Sequence, residues 1–161
     1  MLAASTTKKA VIHRFEKEPV VGHVNPVSYL QPTGVELLSA QGNAATVPYI
    51  DIKSISFVRD FDDKTEAPRR VFNTRPKMEG LWVRFEFRDG EVLEGVMTNN
   101  LLQVEHYGFT VIPPDSSSSQ QRIFVPRVAL RSVAVLGVIG SPLKKKKTKP
   151  APKEQIGLFE E

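Results

Sequence analysis

The chain has 161 residues, of which 40% are hydrophobic and 25% are charged, and its formal net charge is +4. This length suits one ordinary domain or two very small ones. The absence of cysteine excludes disulfides, thiolate chemistry and cysteine-based zinc sites. The longest mostly apolar stretch, Val133 to Gly140, is far shorter than the roughly 20 residues of a membrane helix. The N-terminal residues lack the apolar core of a secretory signal, so we expect a cytoplasmic protein with no membrane partner.

Most of the net charge lies near the C-terminus. From residue 144 onward there are six lysines and three glutamates, whereas residues 1–143 contain 16 basic and 15 acidic residues. A domain that binds phosphate backbones usually has a basic excess of its own. The charge therefore favours the tail over the body as the nucleic-acid contact.

The first half of the chain predicts a meander of short strands. Alternating apolar residues and polar turns place these strands near residues 10–15, 20–26, 35–39, 44–48 and 55–59. Gly22 lies in the second strand, where a glycine is typical of a sharp bend or a close backbone approach. Between the fourth and fifth strands, Pro48 ends the strand and YIDIK (residues 49–53) fits a single helical turn.

A polar segment, Phe61 to Gly80, separates the first half from the second. It is interrupted by Pro68 and Pro76, and its length and charge indicate a surface linker, anchored in part by Val71 and Phe72.

The second half repeats the pattern of the first. Strands are expected near residues 81–88, 91–99, 108–113, 121–126 and 132–138, with a helical turn in RVALR (residues 127–131). Alternation places Phe85 and Phe87 on one face, which favours a core position, and Asp89-Gly90 is a strong hairpin signal. Gly95 occupies the position that corresponds to Gly22.

Two segments carry the internal repeat most clearly. VPYIDIKSISFV (residues 47–58) aligns without a gap on VPRVALRSVAVL (residues 125–136), with Val, Pro and Ser identical. A fixed offset between two similar segments indicates duplicated structural units. Units of about 55 residues are marginally stable alone, so we expect them to pack together or to share one core.

This strand pattern resembles the Sm-like and SH3-like small barrels, and the paired segments also resemble an uncharacterised bacterial family with two such repeats. The resemblance implies an all-β fold of two tandem five-stranded barrels packed together. It implies these boundaries: a flexible N-terminus at 1–9, barrels at 10–60 and 80–140, a linker at 61–79, and a disordered tail at 141–161. The Asn-containing loop and Arg-Gly signature of Sm-like barrels are absent, so RNA binding is not carried over.

The body shows no pattern typical of a catalytic or metal site. His13, His23 and His106 lack the spacing of paired ligands, and the Asp62-Asp63 pair and Ser116 to Ser119 fit polar loops better than chemistry. We therefore expect a protein that is not an enzyme and that holds no cofactor or metal.

One arginine pair and one tryptophan leave nucleic acid or a nucleotide as an alternative ligand. Arg127 and Arg131 match the RxxxR element of PilZ domains, small barrels that bind a cyclic dinucleotide, although the second PilZ element is absent. Trp82 lies an odd number of residues from Phe85 and Phe87, so its side chain is expected on the opposite face of the strand. It is therefore a candidate exposed contact for nucleic acid. The alternative function is thus a nucleic-acid or nucleotide-binding barrel of Sm-like or PilZ-like type.

The tail contains the most specific signal. Its lysine run and two prolines are typical of an extended, solvated linker. Beyond them, Gln155, Ile156, Gly157, Leu158 and Phe159 resemble the pentapeptide by which bacterial replication and repair proteins dock on the DNA sliding clamp. Gln155, Leu158 and Phe159 match the anchoring positions of that family and Ile156 is a variant, whereas Gly157 departs from the usual Ser or Asp.

The sequence therefore predicts a scaffold or adaptor whose terminal peptide docks a protein partner, with the sliding clamp suspected. The lysines would add a weak, tail-mediated nucleic-acid contact; they are Lys144, Lys145, Lys146 and Lys147. Two alternatives stay open for the peptide: another partner with an apolar groove, or contact of Ile156, Leu158 and Phe159 with an edge of the barrels.

Overall fold

The computed structural model describes residues 7–61, 70–114 and 120–140, and in that part of the chain the fold is all-β, as predicted. The strands before the linker are β1 (Lys8–Arg14), β2 (Lys17–Val24), β3 (Leu30–Gln31), β4 (Gly34–Leu38), β5 (Ala44–Pro48) and β6 (Ile52–Val58). The strands after it are β7 (Gly80–Phe87), β8 (Val92–Met97), β9 (Gly108–Val111), β10 (Gln120–Pro126) and β11 (Leu130–Ile139).

The strands form two antiparallel sheets. The larger, curled like half a barrel, has eight strands in the order β3-β4-β2-β1-β6-β10-β9, with β5 also paired to β4. The smaller has the order β11-β7-β8. The predicted division into two five-stranded barrels is not confirmed, because β9 and β10 join the larger sheet through the pairing of β10 with β6.

Two apolar clusters form the interior, and β10 contributes to both. Phe124 packs in the first cluster with Ile12, Ile52 and Ile55. Its neighbours Ile123 and Val125 pack in the second, which contains Phe85 and Phe87 as predicted. Successive side chains of a strand point to opposite faces, so a single strand supplies a wall to each cluster.

The two glycines predicted to lie at a bend or close approach, Gly22 and Gly95, do mark close approaches. A Cβ on Gly22 would lie 2.7 Å from the Leu38 carbonyl oxygen, and one on Gly95 would lie 2.8 Å from Cβ of Val111. Each distance is shorter than real Cβ contacts, so only glycine allows the neighbouring strand to approach this closely.

The predicted turns are also confirmed. Short 3₁₀ turns at Tyr49–Asp51 and Arg127–Ala129 follow Pro48 and Pro126, whose φ angles are −63° and −65°. Gly90 has φ of 93°, which supplies the left-handed residue of the hairpin between β7 and β8. A further 3₁₀ turn at Leu101–Gln103 follows β8.

Within the described ranges, no helix is long and apolar enough to span a membrane.

Candidate functional site

A cleft lies among β8, β9 and β10, next to the start of β7, the first strand after the linker. Its cavity has a volume of about 370 Å³. The polar residues that line it are Glu79, Thr98, Gln103, Glu105, Thr110 and Arg122. A second cavity of about 180 Å³ shares Glu105, Thr110 and Arg122 with the first. It extends to Lys8 and Pro26, and to Tyr29 and Phe57 of the first apolar cluster. We call the two cavities together the seam cleft.

The pairing of β6 with β10 creates the seam cleft. Arg122 of β10 lies opposite Phe57 of β6, and Thr110 of β9 lies opposite Phe124. These pairs bring side chains from residues far apart in sequence to one concave surface. The cleft carries both charge signs, with Lys8 and Arg122 as donors and Glu79 and Glu105 as acceptors, so it suits a polar ligand with groups of both kinds.

Tyr29 forms the buried wall of the cleft. Its ring packs edge-on against Phe57 and Phe124, with ring centroids 5.7 and 6.1 Å away. Burial raises the pKa of its hydroxyl, the negative charge of Glu105 raises it further, and a hydrogen bond with Thr110 acts in the opposite direction. The hydroxyl therefore stays protonated and can donate a hydrogen bond at neutral pH.

Basic residues gather beside the cleft at one end of three neighbouring strands. Lys8 and Lys9 begin β1, Arg59 follows β6, and Arg122 lies in β10; Lys9 pairs opposite Val58. A cavity of about 330 Å³ lies among Thr7, Lys8, Lys9, Phe57, Val58 and Arg59. We call Lys8, Lys9, Arg59 and Arg122 the basic end. Positive side chains grouped at one sheet end favour an anionic ligand over a cationic one.

Trp82 is half-buried in a polar cluster. Its indole Nε1 donates to Oε1 of Glu94 at 3.2 Å, and the ring of Phe72 packs edge-on against it at 6.3 Å between centroids. The backbone N–H of Phe72 also donates to Glu94 Oε1, at 3.1 Å. Of the two residues predicted to anchor the linker, Phe72 does so, whereas Val71 is 41% exposed. A nucleic-acid role for Trp82 stays a prediction.

Glu94 is the buried centre of this cluster, only 2% exposed. Arg84 donates to its Oε2 from Nε at 3.1 Å and from Nη2 at 2.8 Å. Burial raises the pKa of Glu94, but the hydrogen bonds from Arg84, Phe72 and Trp82 favour the carboxylate and hold its pKa below the usual value. The carboxylate ties the linker to the small sheet, a structural role that the sequence analysis did not identify.

The arginine pair of the RxxxR element makes intramolecular contacts. Arg127 donates from Nε to the carbonyl of His106 at 3.2 Å and lies 4.7 Å from the ring centroid of Phe109. Arg131 pairs with Glu86 at 3.2 Å and donates to the carbonyl of Arg88 at 3.1 Å. Arg127 therefore ties the 3₁₀ turn to β9, and Arg131 supports the small sheet.

The histidines lie apart from one another. His13 of β1 is half-buried, and burial lowers its pKa, helped by the positive charges of Arg70 and Lys53. His23 packs against Phe61 and His106 against Tyr107, each edge-on. Among the described residues, no group of three or more His, Asp or Glu side chains is arranged to hold a metal ion.

Several predicted residues lie outside the described ranges. They are Asp62 and Asp63 in the linker, Ser116 to Ser119, the lysines 144–147, and the docking residues Gln155, Ile156, Leu158 and Phe159. The seam cleft and the basic end, in contrast, were missed by the sequence analysis. The only local signal for them is the charge of Lys8, Lys9 and Arg122 at strand ends, because the surface itself depends on which strands pair.

A family model matches residues 6–137, which is most of the chain and includes every strand except the last residues of β11. The chain belongs to the DUF6982 family, a family of unknown function. The predicted resemblance to a family without an assigned activity is confirmed at this level. The family match covers the seam cleft and the basic end but stops before the tail. No curated protein and no solved structure matches the chain.

Proposed function

We propose that this protein is a scaffold or adaptor without enzymatic activity, whose C-terminal peptide docks in an apolar groove of a partner protein, the bacterial DNA sliding clamp. The observation that carries the proposal is the sequence Gln155-Ile156-Gly157-Leu158-Phe159 behind a segment rich in lysine and proline. Two adjacent large apolar side chains suit a preformed pocket, and an amide side chain fixes the register by donating and accepting hydrogen bonds.

The position of the peptide in the chain supports this function. The last strand ends at Ile139, and Gln155 follows 16 residues later. A chain of that length can span at most about 55 Å when fully extended. The peptide can therefore reach a partner without requiring the sheets to contact it. Ordering a short peptide on binding costs free energy, so we expect micromolar affinity.

Binding of the full-length chain to purified bacterial sliding clamp tests the proposal. The variant Q155A/F159A should bind at least about tenfold more weakly, because each anchor of such a peptide contributes more than about 1 kcal/mol. The variant E160A/E161A, changed just outside the pentapeptide, serves as the matched control and should bind within about twofold of the parent chain. Equal binding by Q155A/F159A, or no binding by the parent chain at several hundred micromolar, would contradict the proposal.

The basic end favours a second candidate function, the binding of single-stranded nucleic acid. Lys8, Lys9, Arg59 and Arg122 can contact successive phosphates, and the lysines 144–147 would add affinity without sequence preference.

Fluorescence anisotropy with labelled oligonucleotides, measured at several salt concentrations with the full-length chain, separates the body from the tail. If the basic end binds, K8Q/R122Q should weaken binding. It should also reduce the slope of log affinity against log salt concentration by the contribution of about two phosphate contacts. Replacing lysines 144–147 by glutamine should leave most of the affinity in place. If replacing lysines 144–147 by glutamine abolishes binding while K8Q/R122Q has no effect, the contact belongs to the tail and not to the body.

A further inference from the structure

The outer edge of β11 is apolar and exposed. In the described part of the chain, β11 pairs with β7 and with no other strand. Along it, Val133 is 41% exposed, Val135 is 58% exposed and Val138 is 61% exposed. Long apolar edge strands are uncommon on soluble proteins, because their free N–H and C=O groups and apolar side chains bind further strands.

The corresponding strand of the first half, β6, has its equivalent positions covered. The aligned segments match Val133 with Ile55 and Val135 with Phe57, and Ile55 and Phe57 are 0% and 8% exposed. The two strands also pair alike, since β6 lies beside β1 as β11 lies beside β7. The difference is that β10 pairs along the other side of β6. The sequence thus retains apolar residues on β11 where none of the described strands covers them.

The counterpart of β10 is β5, which pairs only with β4 among the described strands. The backbone N–H of Glu36 in β4 donates to the carbonyl oxygen of Tyr29 at 2.9 Å, on the side of β4 that faces away from β5. Glu36 lies opposite Thr46, so this pair is not hydrogen-bonded to each other, and the N–H and C=O of Thr46 point outward. Pro48 lies two residues from Thr46, opposite Gly34, so its nitrogen also points outward. Its lack of an N–H therefore breaks no hydrogen bond to β4. Among the described strands, β11 and β5 therefore each have one side with no partner strand.

We propose that β11 of one copy of this chain pairs antiparallel with β5 of a second copy, as β6 pairs with β10 within the chain. The internal pairing sets Phe124 opposite Ile55 and Ile123 opposite Ser56. The same register sets Thr46 opposite Val133 and Ala45 opposite Ala134 of the second copy.

The side chains suit this pairing. Ala44, Ala45 and Thr46 are exposed, small and uncharged, so they fit against the exposed valines of β11 without burying a charge. Arg75 donates from Nη2 to the carbonyl of Val138 at 3.0 Å, which leaves residues 132–136 as the part of β11 that pairs. Because the contact joins two different edges, each copy keeps one open edge, and the assembly grows into a closed ring or a filament.

The oligomeric state of the full-length chain tests the proposal, measured by light scattering coupled to size exclusion from about 1 to 300 μM. The parent chain should exceed a monomer and grow with concentration. T46P removes an outward N–H from an edge position, where proline is tolerated, and V135K places a lysine on the apolar edge. Each should be a monomer with unchanged far-ultraviolet circular dichroism. V27K, at a turn residue that is 92% exposed, is the control and should assemble like the parent chain.

A mixing experiment distinguishes this contact from one between identical edges. T46P retains an intact β11 and V135K retains an intact β5, so the two monomers should form a 1:1 dimer that grows no further. The proposal is overturned if T46P alone still assembles, since β11 would then pair with itself. A mixture that stays monomeric also overturns it.

The register is tested by disulfide formation, which has no background because the chain lacks cysteine. Arg127 donates its N–H to the carbonyl of Tyr107, so the alternation along β10 points the backbone groups of Ile123 toward β9 and away from β6. Ile123 and Ser56, the pair equivalent to Ala45 and Ala134, are therefore a non-hydrogen-bonded pair, whose side chains are closely spaced. Chains carrying A45C and A134C should therefore crosslink when mixed and oxidised. A45C mixed with V133C should crosslink at least fivefold less, because residue 133 points to the opposite face. Equal yields overturn the register.

A parent chain that is monomeric at every concentration also overturns the proposal.

Discussion

Glu94 shows how one buried charge can fasten a linker to a sheet. Its carboxylate accepts hydrogen bonds from Arg84, Trp82 and the backbone of Phe72. Its own backbone N–H donates to the carbonyl of Arg70 at 2.7 Å. A buried charge is stable only when its hydrogen-bonding capacity is satisfied, and here the linker supplies part of that satisfaction.

We predict that E94Q lowers the free energy of unfolding by about 2 kcal/mol. The glutamine oxygen can still accept from Trp82 and Phe72, but its NH₂ group would face the donors of Arg84, which would lose their acceptor. Urea denaturation followed by Trp82 fluorescence measures the change. E86Q removes an exposed partner of Arg131 and should cost less than about 1 kcal/mol. A loss for E94Q no larger than for E86Q would contradict the structural role of Glu94.

We predict that His13 makes the stability depend on pH. Burial and the charges of Arg70 and Lys53 lower its pKa in the folded chain, so below the ordinary value of about 6.5 the unfolded chain binds more protons. The free energy of unfolding should therefore fall as the pH drops from 8 through 6.5. The urea midpoint of H13Q should fall less than that of the parent chain between pH 8 and 5.5, with H106Q as the control. Parallel pH profiles for H13Q and the parent chain would refute this effect.

At the level of the elements, Gly22 and Gly95 allow close approaches between neighbouring strands. Each removes a side chain where a neighbouring strand crosses closely, Gly22 against β4 and Gly95 against β9. We predict that G22A and G95A each destabilise the chain by about 1–3 kcal/mol, because an added methyl group must displace packed backbone or a branched side chain. G140A, where no atom lies within 4 Å of the added carbon, should change stability by less than about 0.5 kcal/mol. Thermal unfolding of the three variants, compared at one pH, measures these differences.

At the scale of the whole molecule, β10 joins the two apolar clusters. Phe124 packs in the first cluster, whereas Trp82 reports on the small sheet beside the second. If the clusters unfold together, F124L should lower the urea midpoint equally whether unfolding is followed by Trp82 fluorescence or by far-ultraviolet circular dichroism. The loss in free energy of unfolding should be roughly 1 kcal/mol. V27A, at an exposed turn, should leave both unchanged. A Trp82 transition that does not move in F124L would show that the two halves unfold independently.

The extent to which the sequence predicts this fold follows from the range of each interaction. Alternation of Val83, Phe85 and Phe87 depends on neighbours two residues apart, so strands, core residues and the Asp89-Gly90 turn could be read directly. The two-residue strand β3 was missed because Leu30 and Gln31 are too short a segment to show a period. The pairing of β6 with β10 was missed because contacts between residues about 70 positions apart leave no local pattern.

The same distinction separates the candidate sites. The docking peptide is linear, so residues 155–159 could be proposed from sequence alone, whereas the seam cleft combines Lys8, Tyr29, Glu105 and Arg122 through strand pairing. By itself the sequence determined the strand content, the turns, the close glycines and the balance of charge between body and tail, since these depend on neighbouring residues. Only the tertiary structure decided that Phe124 and Ile123 pack in different clusters, that Glu94 holds the linker, and that β11 and β5 each have one side unpaired among the described strands. These features depend on which strand lies beside which, and the free energy that decides it comes from long-range burial.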